Sequence, residues 1–93
     1  MTKKIFKYKL ELLNRKDMVA QMPISAKVLD VQPQHDSWVA WAEVDDEVVN
    51  VVPRYFHAVF TGDPVPPGVY RNTLQLEDST GILVFHIYEE PAA

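Results

Sequence analysis

At 93 residues, with 47% hydrophobic and 24% charged side chains, the chain is one small globular domain, outside the disordered and collagen-like compositions. The absence of cysteine excludes a disulfide framework, a thiolate metal site and a thiol nucleophile. A formal net charge of −4 argues against bulk attraction to nucleic acid or anionic membrane, because phosphate neutralisation supplies most non-specific nucleic-acid affinity.

Residues 5–13 alternate, with Phe6, Tyr8, Leu10 and Leu12 on one side and Lys7, Lys9 and Glu11 on the other, which predicts a half-buried strand. The polar turn Asn14-Arg15-Lys16-Asp17 leads into a second strand, Met18 to Met22, stopped by Pro23. Ala26 to Gln32 resumes the extended pattern until Pro33, and Gln34-His35-Asp36-Ser37 supplies a hairpin loop. From Trp38 to Val44 both alternating sets are apolar, as in a central strand covered on both faces. Asp45-Asp46-Glu47 opens a loop, Val48 to Val52 extends the hairpin, and Pro53 limits it.

Arg54 to Thr61 has the aromatic and β-branched bias of a strand, with Phe56, Ala58 and Phe60 on one side. Residues 62–68 hold three prolines and two glycines, which make a stiff irregular loop. Val69 to Glu77 and Ile82 to Glu89 form a hairpin around Asp78-Ser79-Thr80-Gly81. The expected fold is therefore all-β: a small single-domain antiparallel sandwich or partly open barrel of six to seven short strands, ordered over about residues 4–89 with a frayed tail at 90–93.

Charge is uneven along the chain. Residues 1–30 sum to +4 and residues 31–93 to −8, which suggests two differently charged surfaces unless the strands interleave in space. No apolar run exceeds four or five residues, far below the roughly 20 of a bilayer span, and Lys7 and Lys9 interrupt any signal-peptide core. The expected location is the cytoplasm, with no membrane partner.

Catalytic signatures are sparse. His57 and His86, with Glu89 or Glu43, would be the conceivable metal set, but no local histidine spacing preorganises two ligands, and hydrogen-bonded strand histidines are the favoured reading. Ser25, Ser37 and Ser79 lack the glycine-flanked turn of a nucleophile, and three glycines cannot build a phosphate loop. Adjacent carboxylates such as Asp45/Asp46 and Glu89/Glu90 fall on opposite faces of a strand and read as solvated charges. The expectation is a non-enzymatic protein with no cofactor and no metal.

Ten aromatic residues exceed what one small core must use, and Tyr, Trp and Arg anchor binding sites. The candidate binding residues are accordingly Trp38, Trp41, Arg54, Tyr55, Tyr70 and Arg71, with the acidic Asp45, Asp46 and Glu47. Lys7 and Lys9 are candidate anion-binding residues, since a lysine can hold a phosphate while an aromatic ring stacks the base.

An ordered set of motifs spans nearly the whole chain: Ile5-Phe6-Lys7-Tyr8, Met22-Pro23 through Ala26 to Gln32, Trp41-Ala42-Glu43-Val44-Asp45, Thr61-Gly62-Asp63-Pro64-Val65-Pro66 and Val84-Phe85-His86-Ile87-Tyr88-Glu89. In these the sequence resembles a family of short uncharacterised proteins of bacteriophages and prophage-bearing bacteria. It departs at Arg71-Asn72, where a glycine often precedes the threonine, and at the variable loop Val48 to Val52. The resemblance implies a phage origin and a compact β domain, and brings no activity or site residue with it.

The leading functional expectation is a phage-encoded binding protein, acting in the cytoplasm of the infected or lysogenic host. It would inhibit a bacterial defence complex, such as a CRISPR effector, by contact with a host protein or nucleoprotein. Direct nucleic-acid binding is disfavoured by the net charge. The alternatives are an oligomeric sponge for a nucleotide second messenger and a virion or assembly accessory protein. Edge strands and the small core favour a homodimer in each case.

Overall fold

The computed structural model describes residues 2–47 and 50–91. The period-two stretches become seven strands: β1 (Lys3–Leu12), β2 (Asp17–Met22), β3 (Lys27–Gln34), β4 (Ser37–Asp45), β5 (Val52–Phe60), β6 (Val69–Asp78) and β7 (Gly81–Glu89). All pairings are antiparallel, in the order β3-β4-β1-β2-β5-β7-β6, and no helix occurs among the described residues. The terminal strands of that order, β3 and β6, come against each other, so the sheet curls into a nearly closed barrel. Of the two architectures expected, the barrel is the one formed, as a small single domain.

The interior follows from strand alternation. Leu10 of β1, Met18, Ala20 and Met22 of β2, Ala40, Ala42 and Val44 of β4, Phe56 and Ala58 of β5 and Ile87 of β7 face one another in a common core. Small barrels fill by alternating large and small residues. Here Phe56 and Met18 pair across β2 and β5, while alanines at 20, 40, 42 and 58 leave room around them. Toward one end the core finishes in an aromatic group, with Phe85 against Trp38 at 5.7 Å and Phe60 at 4.8 Å.

Pro23 stops β2 after Met22 as expected, but the other two prolines expected to limit strands lie inside them. β3 continues through Pro33 to Gln34, which shortens the hairpin loop to His35-Asp36, with His35 at φ 56°. Ladder bonds alternate from residue to residue in an antiparallel pair. Pro33 lies at a position of β3 whose nitrogen points away from β4, so its missing N–H removes no ladder bond. Pro53 lies inside β5 beyond the stretch that pairs with β7, and its nitrogen points to that vacant side. Of the expected extension Val48 to Val52, residues 48 and 49 lie outside the described residues and only Val52 is strand.

The loop Thr61–Gly68 runs from the end of β5 to the start of β6 and skips β7, which pairs between them. Consequently the starts of β1, β3, β5 and β6 gather at one end of the barrel with the ends of β2, β4 and β7. The candidate site lies there.

Candidate functional site

Inward-facing positions of β5 and β7 change character at this end. After Phe56 the next inward residue of β5 is Arg54, and after Ile87 the next of β7 is Glu89. Ala20, directly across from Arg54 on β2, leaves space for the guanidinium. Arg54 grips Glu89 with two parallel bonds, Nε to Oε2 at 2.5 Å and Nη2 to Oε1 at 2.9 Å. Its Nη1 donates to the carbonyls of Pro23 (2.9 Å) and Ala26 (2.7 Å) in the β2–β3 turn. Arg71, at the bulge of β6, donates Nε (3.0 Å) and Nη2 (2.7 Å) to Glu89 Oε1.

Glu89 is only 5% exposed, which corrects its reading as a solvated charge: strand alternation places it inside with Ile87 and two arginines satisfy it. Two guanidinium groups face one carboxylate in the cluster, and Glu90 brings a second carboxylate to the same cleft. Among the described residues no buried side-chain nitrogen or oxygen lacks a partner. A buried, fully bonded bidentate pair of this kind fixes geometry more than it adds net stability.

Above the cluster lies a cleft of about 540 Å³. Its walls include Ile24, Val52, Tyr55, Val69 and Pro91, and Ile24, Tyr55 and Val69 are exposed. An apolar concavity with a few converging polar groups is the usual form of a binding site. The arrangement can accept apolar side chains against the walls and a polar or anionic group at Arg71.

The expected patch is thereby divided. Arg54, Tyr55 and Arg71 meet in the cleft, with Tyr70 beside it and edge-on to Tyr88 at 5.6 Å. Trp38 is elsewhere, packed on Phe85 and lining a shallower depression with Lys9 and Asp36. Trp41 is half-buried on the outer face of β4, opposite Lys7, the one place where a candidate lysine and a candidate aromatic lie directly across from each other. Lys7 Nζ donates to Gln34 at 2.9 Å. Asp45 accepts the Glu47 N–H (3.0 Å), and Asp46 pairs with Lys4 at 3.6 Å. Lys3 reaches Glu43 at 3.6 Å, so β1 and β4 interleave their charges and on this sheet the two sequence halves do not become separate faces.

His57 and His86 are hydrogen-bonded strand residues, while His35 lies in the β3–β4 turn. His57 joins Asp17 (Nδ1 to Oδ1, 2.6 Å) to Glu90 (Nε2 to Oε1, 3.0 Å), and His86 lies between the hydroxyls of Thr61 (2.8 Å) and Thr73 (3.0 Å). The Asn14 amide, and next His57, hold the Asp17 carboxyl below its usual range. The set His57, His86, Glu89 and Glu43 is not brought together, because Glu89 points inward and Glu43 lies on β4 beside Lys3. Among the described residues no group of three or more His, Asp or Glu side chains is placed to hold a metal ion. Glu90, placed by the sequence in the tail, also donates its N–H to the Tyr55 carbonyl at 2.9 Å.

The family model described as Domain of unknown function (DUF7352) matches residues 1–93. The chain belongs to this family. No curated protein and no solved structure matches it. The motifs that carry the resemblance to short uncharacterised proteins therefore belong to a family of unassigned function. They occupy β1, the β2–β3 turn with β3, β4, the Thr61–Gly68 crossover and β7, the elements that shape the barrel.

Proposed function

We propose that the domain is a non-enzymatic protein-binding module whose end cleft receives an apolar segment of a protein partner. The observation that carries this reading is the exposure of Ile24 (62%), Val69 (51%) and Tyr55 (37%) around a floor held rigid by Arg54, Glu89 and Arg71. A preorganised apolar pocket loses little conformational freedom on binding, which is what affinity requires. In its specific form the partner is a bacterial defence complex and the module is phage-encoded. The ordered motifs support the origin, and the Asp45-Asp46-Glu47 turn at the same end of the barrel supplies carboxylates that a basic nucleic-acid groove would attract.

The test is binding to purified CRISPR effector complexes at low ionic strength, with Val69→Glu and Ile24→Glu as variants. Complex formation by the native protein that either variant abolishes, with the fold intact by circular dichroism, supports the proposal. Equal binding by the variants removes the cleft from it, and no complex with any effector removes the anti-defence role. Thermal stabilisation by a cyclic oligonucleotide in place of a protein would favour the sponge.

A further inference from the structure

β1 pairs with β4 along residues 3–10, but with β2 only at Glu11 and Leu12. Residues 3–9 thus have a sheet neighbour on one side only among the described residues. The Thr2 carbonyl accepts the Asp46 N–H at 3.0 Å, and the Leu13 N–H donates to the Asp17 carbonyl at 2.8 Å. Since bonded and non-bonded pairs alternate in an antiparallel ladder, even-numbered residues of β1 bond to β4 and odd-numbered ones face β2. The N–H and C=O groups of Lys3, Ile5, Lys7 and Lys9 therefore line an open edge about 20 Å long.

The free edges of the terminal strands β3 and β6 are interrupted. β3 carries a bulge between Val28 and Asp30, Pro33, and the Asn72 side chain seated on Val31; β6 carries a bulge between Tyr70 and Asn72. β1 has neither bulge nor proline over residues 3–9, and Ile5 and Phe6 are 62% and 43% exposed. Its lysines discourage self-pairing. In the register centred on Phe6, a second copy would place Lys3 against Lys9, and like charges directly across a ladder are destabilising.

We propose that this open edge of β1, residues 3–9, is a docking site for an extended acidic segment of a partner protein, which adds as a further strand with its carboxylates against Lys3, Lys7 and Lys9. Strand addition of this kind draws affinity from main-chain bonds and selectivity from alternate side chains. The edge lies outside the cleft, so binding at either can fail while the other is measured.

The experiment is amide exchange and chemical-shift mapping of the whole protein with an alternating Glu-Val heptapeptide and its Lys-Val counterpart. The acidic peptide is expected to protect the amides of Ile5, Lys7 and Lys9, and the basic peptide to leave them unchanged. Ile5→Pro removes one outward N–H and no bond to β4, and should weaken binding roughly tenfold. The charge reversal Lys7→Glu with Lys9→Glu should invert the preference. No protection at about 1 mM acidic peptide, equal binding by Ile5→Pro in a folded protein, or a peptide-free dimer that protects the same amides would each overturn the proposal.

Discussion

The carboxamide of Asn72 takes the place of a neighbouring strand for Val31: its Nδ2 donates to the Val31 carbonyl at 2.9 Å and its Oδ1 accepts the Val31 N–H at 3.1 Å. One side chain thus reproduces the paired bonds of a ladder and joins β3 to β6 across the seam of the barrel. The Val31 N–H also meets the Asp30 carboxylate at 3.0 Å. Because Val31 is fully buried, its carbonyl has no water to turn to. Asn72→Ala should cost about 1–3 kcal/mol in urea denaturation and accelerate exchange of the Val31 amide. An unchanged midpoint would mean that the seam closes by packing alone.

Glu89→Gln leaves the nearly buried Arg54 and the partly exposed Arg71 facing a neutral amide, and breaking a buried pair costs about 3–5 kcal/mol. For a domain of this size that approaches total stability. Arg71→Gln should cost less than Arg54→Gln, since the Arg71 side chain is 23% exposed against 9% and makes no bond to the β2–β3 turn. Replacing Arg54 and Glu89 together by Met and Leu should destabilise less than the sum of the single changes. Chemical denaturation of these variants, with Arg54→Met and Glu89→Leu measured singly for the sum, gives the order directly.

At Gly68 φ is +140°, and an added Cβ would collide with the Glu89 carbonyl oxygen, a backbone atom that cannot swing aside. At Gly81 φ is +132° but the space is open. Gly81→Ala should therefore show only backbone strain, about 1–3 kcal/mol. Gly68→Ala adds the collision and should lower the melting temperature further. Equal effects would show that the crossover can shift away from β7.

Acid stability follows from three aspartates whose carboxyls are held below the ordinary 3.8: Asp17 by Asn14 and His57, Asp63 by the Phe60 N–H, and Asp78 by Thr80. A carboxyl lowered in the folded state contributes stability above its unfolded value, and loses it as the pH falls through the folded value. Stability should therefore be steady above about pH 5 and decline from near 4 downward. Asp17→Asn should flatten that decline. Urea midpoints across this range check the sign, and a decline that is as steep in Asp17→Asn assigns it to other groups.

Strand identity was legible because it is a local property. Alternation around Phe6 to Leu12, the doubly apolar run Trp38 to Val44 and the hairpin around Ser79-Thr80 each depend on residues a few places apart. Prolines misled at 33 and 53, where a missing N–H matters only if it would have pointed at a partner, and that direction is set by register. Glu89 was misread for a related reason. It continues the inward series Phe85, Ile87, and that series was a signal in the sequence, but nothing near it in the chain announces Arg54 and Arg71.

Composition and period-two patterning by themselves determined an all-strand domain, its turns and a surplus of aromatic residues, since these depend on propensity and on which face of a strand a residue takes. Tertiary structure alone decided that Arg54 and Tyr55 meet Arg71 while Trp38 and Trp41 go elsewhere, that the charges of β1 and β4 interleave, and that residues 3–9 keep an open edge. Strand order and register bring together residues far apart in the chain, and both are settled by how the whole sheet closes on its core.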